Sequence, residues 1–137
     1  MQTQLYYLDS SNYIREQDIY PGTTQNGSLS QENYKASPSS GLSTYWPSLI
    51  YKDDSGEFYE VTYAGSITAN IWNAKAFSQP DEGGSESGLA ELSTTLNYTS
   101  LTLFYQTASG YLVQRRRDSG SAIWSAGESL SLFEINL

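Results

Sequence analysis

The chain has 137 residues, 38% of them apolar and 14% aromatic, enough for one domain with a modest core. A formal charge of −8 repels phosphate backbones and argues against a nucleic-acid partner. With no cysteine and no histidine, the chain has no disulfide, thiol nucleophile, Ser-His-Asp triad or zinc site built on those residues. No stretch reads as a signal peptide or a membrane-spanning segment. Twelve tyrosines supply much of the hydrophobic bulk, and aromatic residues favour the pleated surface of a strand. No segment keeps an i, i+3, i+4, i+7 apolar pattern for more than about one turn, so the expectation is all-β.

In chain order, strand character begins at Gln4-Leu5-Tyr6-Tyr7 and returns at Leu49-Ile50-Tyr51 and Leu103-Phe104-Tyr105. These segments align on Tyr7, Tyr51 and Tyr105, separated by 44 and 54 residues. Five residues after each tyrosine stands Asn12, Gly56 or Gly110, types that tolerate positive φ in a hairpin turn. Two residues further on comes apolar Ile14, Phe58 or Leu112, and two beyond that a carboxylate or amide: Glu16, Glu60 or Gln114. A third strand follows in each copy, carrying Ile71-Trp72 and Ile123-Trp124, with Ser28-Leu29 in the first copy. Ser40-Gly41-Leu42 and Ser87-Gly88-Leu89 announce a fourth.

Residues 21–27 (PGTTQNG) read as loop throughout, and 79–88 (QPDEGGSESG) as a solvated insertion that lengthens the second spacing. The ordered ligand spacing of a calcium loop is missing there. Arg115-Arg116-Arg117, the one basic cluster, reads as a solvated strand with Arg116 pointing away from its neighbours. Residues 130–137 (LSLFEINL) keep a strand pattern to the last residue. The expected count is twelve strands: three, four and four in successive copies, over about 1–40, 41–87 and 88–137, plus one at the C-terminus. That makes three four-stranded blades of β-propeller type, half of a six-bladed ring or a fragment of a larger one. The last strand is expected to close the blade that holds 5–8 and 13–19, or a twofold dimer to complete six blades.

An aromatic strand ending in Tyr-Gln, a glycine turn, a strand with a glutamate position and then a Trp strand resembles the fungal fucose-specific lectin family. The stretch from Leu103 through Gly110 to Trp124 carries the resemblance best, and loosely it extends over nearly the whole chain. It implies a secreted or cell-surface sugar-binding protein with no cofactor and no catalysis. Sugar would sit between blades, held by an Arg, a Glu and a Trp platform. Position by position, the Glu falls on Glu16, Glu60 and Gln114, and the Trp on Trp72 and Trp124, with Leu29 in the first copy. The Arg falls on Gln4, Ser48 and Thr102, so no copy keeps the full set.

The second copy alone keeps both Glu and Trp. Glu60, with Trp72 or Trp124 and with Ser48 as a neutral donor, is therefore the first expectation for a glycan site. Read without the resemblance, Trp72 and Trp124 are core, Trp46 before Pro47 is core or interface, and Glu16 and Glu60 cap strand edges. The alternative function is a non-catalytic scaffold that binds protein or forms the exterior of a larger protein.

Overall fold

The computed structural model describes residues 2–66, 69–76, 90–93, 100–106, 112–118, 120–121, 123–125 and 127–130. Eleven strands among them form three antiparallel sheets. The first is β1 (Thr3–Leu8), β2 (Ile14–Tyr20) and β3 (Thr23–Asn26). The second is β4 (Ser43–Tyr45), β5 (Ser48–Lys52), β6 (Phe58–Tyr63) and β7 (Trp72–Ala76). The third is β8 (Ala90–Ser93), β9 (Ser100–Gln106), β10 (Leu112–Asp118) and β11 (Glu128–Leu130). Each sheet is a simple meander, the form that builds propeller blades. Among the described residues no helix is long and apolar enough to cross a membrane.

The aligned tyrosines occupy one place in each sheet. Tyr7 pairs with Arg15, Tyr51 with Tyr59 and Tyr105 with Val113. Asn12 at φ 66° and Gly56 at φ 85° take the left-handed turn positions expected of them, while Gly110 lies outside the described residues. Each described turn is closed by an aspartate two residues after its tyrosine. Asp9 accepts from the Ser11 and Tyr13 N–H groups at 2.9 and 3.0 Å, and Asp53 from those of Ser55 and Glu57 at 2.9 and 3.0 Å. On Asp9 these bonds, with that from Arg15, outweigh burial, and the carboxyl is held below its ordinary range.

Side chains alternate between two faces of each sheet, and each face of the second sheet meets a different neighbour. Leu49, Tyr51 and Val61 of the second sheet pack with Ile14, Leu29 and Trp72 between the first and second sheets. Ile50 and Phe58 use the opposite face to pack with Leu103, Tyr105, Val113 and Trp124 of the third. All five residues of β5 are consequently buried. The short strands β4 and β8 lie next to each other at the heads of their sheets.

Four expectations need correction or restriction. Residues 23–26 are strand β3, not loop: Pro21-Gly22 makes a two-residue turn with Gly22 at φ 82°, and Thr23 and Thr24 suit an edge strand. Neither Ser28-Leu29 nor Ile123-Trp124 lies in a third strand; in the last sheet that place belongs to β11. Ser28–Gln31 is a 3-10 turn, fixed by Ser30 Oγ bonded to both the N–H and the carbonyl of Glu16, and Leu29 is core rather than a platform. The arginines are not uniformly solvated. Arg116 does point away and is exposed, but Arg115 is 1% exposed, 6.0 Å from the Tyr105 ring centroid, and Arg117 is half-buried. Leu130 belongs to β11, paired with Leu112, whereas 131–137 and the insertion 79–88 lie outside the described residues.

Candidate functional site

Glu16 faces the second sheet from β2 and is almost wholly buried. It accepts from the Leu29 N–H at 2.9 Å, Gln4 Nε2 at 3.0 Å and the Tyr6 hydroxyl at 3.3 Å. Gly27 makes room for it, because a Cβ there would collide with the carboxyl. Burial holds the Glu16 carboxyl above its usual range. The Leu29 N–H pulls the other way and the charge of Asp18 adds to the rise. Burial and Glu16 also push the Tyr6 hydroxyl up.

Asp18, two residues along the same face, has a buried Oδ1 with no hydrogen-bond partner. The second sheet supplies the opposite wall. Trp72 anchors to the first sheet through Nε1, which donates to Ser28 Oγ at 2.8 Å. Tyr63 lies against Trp72 with centroids 5.1 Å apart, and Trp46 lies 5.8 Å from Tyr63. The Tyr63 hydroxyl donates to Asn70 Oδ1 at 3.0 Å, and the missing side chain of Gly65 leaves space for the Tyr63 ring. These groups enclose a cavity of about 380 Å³.

A second cavity, about 480 Å³, lies between the second and third sheets. Here Glu60 receives an ion pair from Arg117 and a hydrogen bond from the Tyr45 hydroxyl, which itself accepts from Arg117. The guanidinium lies over the Trp124 ring, 4.8 Å from its centroid. Burial alone would lower the Arg117 pKa, but bonding to and charge from Glu60 outweigh it and the pKa is raised. Burial, then the bond to Glu60, pushes the Tyr45 hydroxyl up. Ser48 lines the cavity with its Oγ 2.9 Å from Thr62 Oγ1.

The structure thus brings Glu16 together with Trp72, and Glu60 and Ser48 into one cavity, where Arg117 links Glu60 to Trp124. Trp72 is not in the Glu60 cavity, since it pairs with Tyr63 and shares that residue's face. Gln114 joins neither cavity. It alternates with Val113 and Arg115, so it points away from the second sheet. Trp46 is not core but 63% exposed at the rim of the first cavity.

The position three residues after the Glu position escaped the sequence reading. It is Tyr63 on β6 and Arg117 on β10, and each lies against the Trp of its own repeat. The repeat alignment contains the equivalence, but two unlike side chains gave it no signal.

These paired sheets, with a cavity at each junction, define an all-β chain of three β-propeller-type blades. AofleA from Arthrobotrys oligospora matches it with a TM-score of 0.67 at 18% identity, over 90% of this chain and 38% of that one. A variant of AofleA with three arginines changed to alanine gives 0.69 at 19%, over 93% and 39%. The BP39L lectin from Burkholderia pseudomallei gives 0.62 at 14%, over 95% and 38%. The chain spans about two fifths of the length of these structural neighbours. Comparison with protein-family models and with curated proteins gives no match.

Proposed function

We propose that this chain is a non-catalytic, lectin-like carbohydrate-binding module whose glycan occupies the cavity between the first and second sheets. The observation that carries the proposal is the pairing of an exposed indole, Trp46, with a buried and unpartnered carboxylate oxygen on Asp18 in that cavity. An indole face suits the C–H patch of a sugar, and a carboxylate oxygen accepts from its hydroxyls. The structural likeness to the BP39L lectin supports the same reading.

Sequence order favours Glu60, but Arg117 and Tyr45 already use its oxygens, so the first cavity takes precedence. Gln4 stands where the resemblance implies an arginine and is bonded to Glu16, which supports a specificity other than that of a full Arg-Glu-Trp site. With neutral donors in place of a guanidinium, monosaccharide affinity should be on the order of millimolar, about −4 kcal/mol. A glycan array followed by titration of tryptophan fluorescence tests the reading. Binding that Asp18→Asn weakens supports it; no sugar binding at tens of millimolar ends it.

A scaffold that binds protein outside the cell is the second reading, and one observation favours it. Leu5 and Tyr7 are 47% and 40% exposed, although their counterparts Leu49, Tyr51, Leu103 and Tyr105 are all buried. A partner blade, from a second copy in a homodimer or from another protein, would cover that face as the first sheet covers the second.

A further inference from the structure

The two cavities share one frame and differ in charge. In the second, Arg117 lies over Trp124 and pairs with Glu60, so the cavity carries its own cation. In the first, the corresponding position is Tyr63, and among the described residues no lysine or arginine lines the cavity. Two carboxylates, Glu16 and Asp18, nonetheless face it beside Trp46, Tyr63 and Trp72. The donors that reach Glu16 are all neutral: a backbone N–H, an amide and a phenol. The buried Oδ1 of Asp18 has no donor at all.

We propose that the first cavity takes a ligand's ammonium group and, resting on the glycan reading above, that its ligand is an amino sugar with a free amine. The second cavity demonstrates the arrangement within the same molecule, with a guanidinium between an indole face and a carboxylate. An ammonium in the first would find the same two partners: the Asp18 oxygen for a charge-assisted hydrogen bond and aromatic faces for a cation–π contact. The pyranose C–H face would then lie along Trp46. N-acetylation removes the charge and leaves the ring, so it isolates the contribution of the ammonium.

The test titrates the whole chain with D-glucosamine, N-acetyl-D-glucosamine and L-fucose at about pH 6.5, where the amine is charged. Tryptophan fluorescence follows binding. Glucosamine should bind about tenfold more tightly than either neutral sugar, and Asp18→Asn should bring that ratio close to one. Tyr63→Arg, which builds the second cavity's cation into the first, should abolish the preference as well. This variant keeps the question open to test if Asp18→Asn does not fold. Equal or tighter binding of a neutral sugar overturns the amine assignment and leaves the glycan reading standing. Failure of all three sugars to bind at tens of millimolar overturns both.

Discussion

The cavity between the first and second sheets and the cavity between the second and third are built from corresponding strands, yet only the second holds an internal ion pair. Both set a glutamate of one sheet against the tryptophan of the next. At the position three residues past the glutamate register, Tyr63 in the first cavity lies tilted against Trp72 and offers the carboxylates no cation, while Arg117 in the second lies on Trp124 and reaches Glu60. A single place in the repeat therefore decides whether the junction carries an internal ion pair.

The largest expected effects fall on the buried tryptophan at each junction. Trp72→Ala and Trp124→Ala each remove a buried ring from an inter-sheet cluster and should cost about 3–5 kcal/mol in denaturant unfolding. A cost below about 1 kcal/mol for either would show that its junction does not hold the sheets together. Next comes Arg117→Met, which strands Glu60 beside Tyr45 without a cation and should cost about 3 kcal/mol. Adding Glu60→Gln should restore much of the loss, and a double-mutant cycle with no coupling would remove the contrast between the cavities.

A smaller effect concerns pH. Because folding raises the Glu16 carboxyl, the folded chain holds that proton more firmly than the unfolded chain does. Glu16 therefore adds stability that is complete below the ordinary glutamate value, about pH 4, and is lost as pH rises through the raised folded value. Glu16→Gln should flatten this part of the stability curve, measured by urea midpoints from about pH 3.5 to 7; an unchanged slope would contradict the burial argument. The smallest effect on folding is that of Trp46→Ala, within about 0.5 kcal/mol because the ring is exposed. The same change should abolish glycan binding in the first cavity, and unchanged binding would remove Trp46 from the site.

The fold was legible where register repeats. Tyr7, Tyr51 and Tyr105, with Asn12 and Gly56 at the turns, are placed as their spacing implies, because hairpin geometry ties side-chain alternation to turn position. Legibility failed where a tertiary bond replaces a local one. Ser28-Leu29 looks like a strand counterpart of Ile71-Trp72, but Glu16 and Ser30 draw it into a 3-10 turn. Residues 23–26 look like loop because their composition is polar, but they form an edge strand with both faces in solvent, which needs no apolar alternation. Within the candidate site, Glu16 and Trp72 were marked by the repeat. Trp46 and Arg117 were not, since their roles depend on which sheet lies opposite, and charge and aromaticity alone do not report that.

Strand β5 lends both its faces to packing, with Leu49 and Tyr51 in one cluster and Ile50 in the other. Its amides can reach solvent only through an opening that disrupts both junctions, so they should be the slowest to exchange hydrogen. The amides of β3, all of whose residues are exposed, need only local fraying. Any ligand that tightens the first cavity would consequently slow exchange in β5 and, through that shared strand, raise the free energy needed to open the other junction as well.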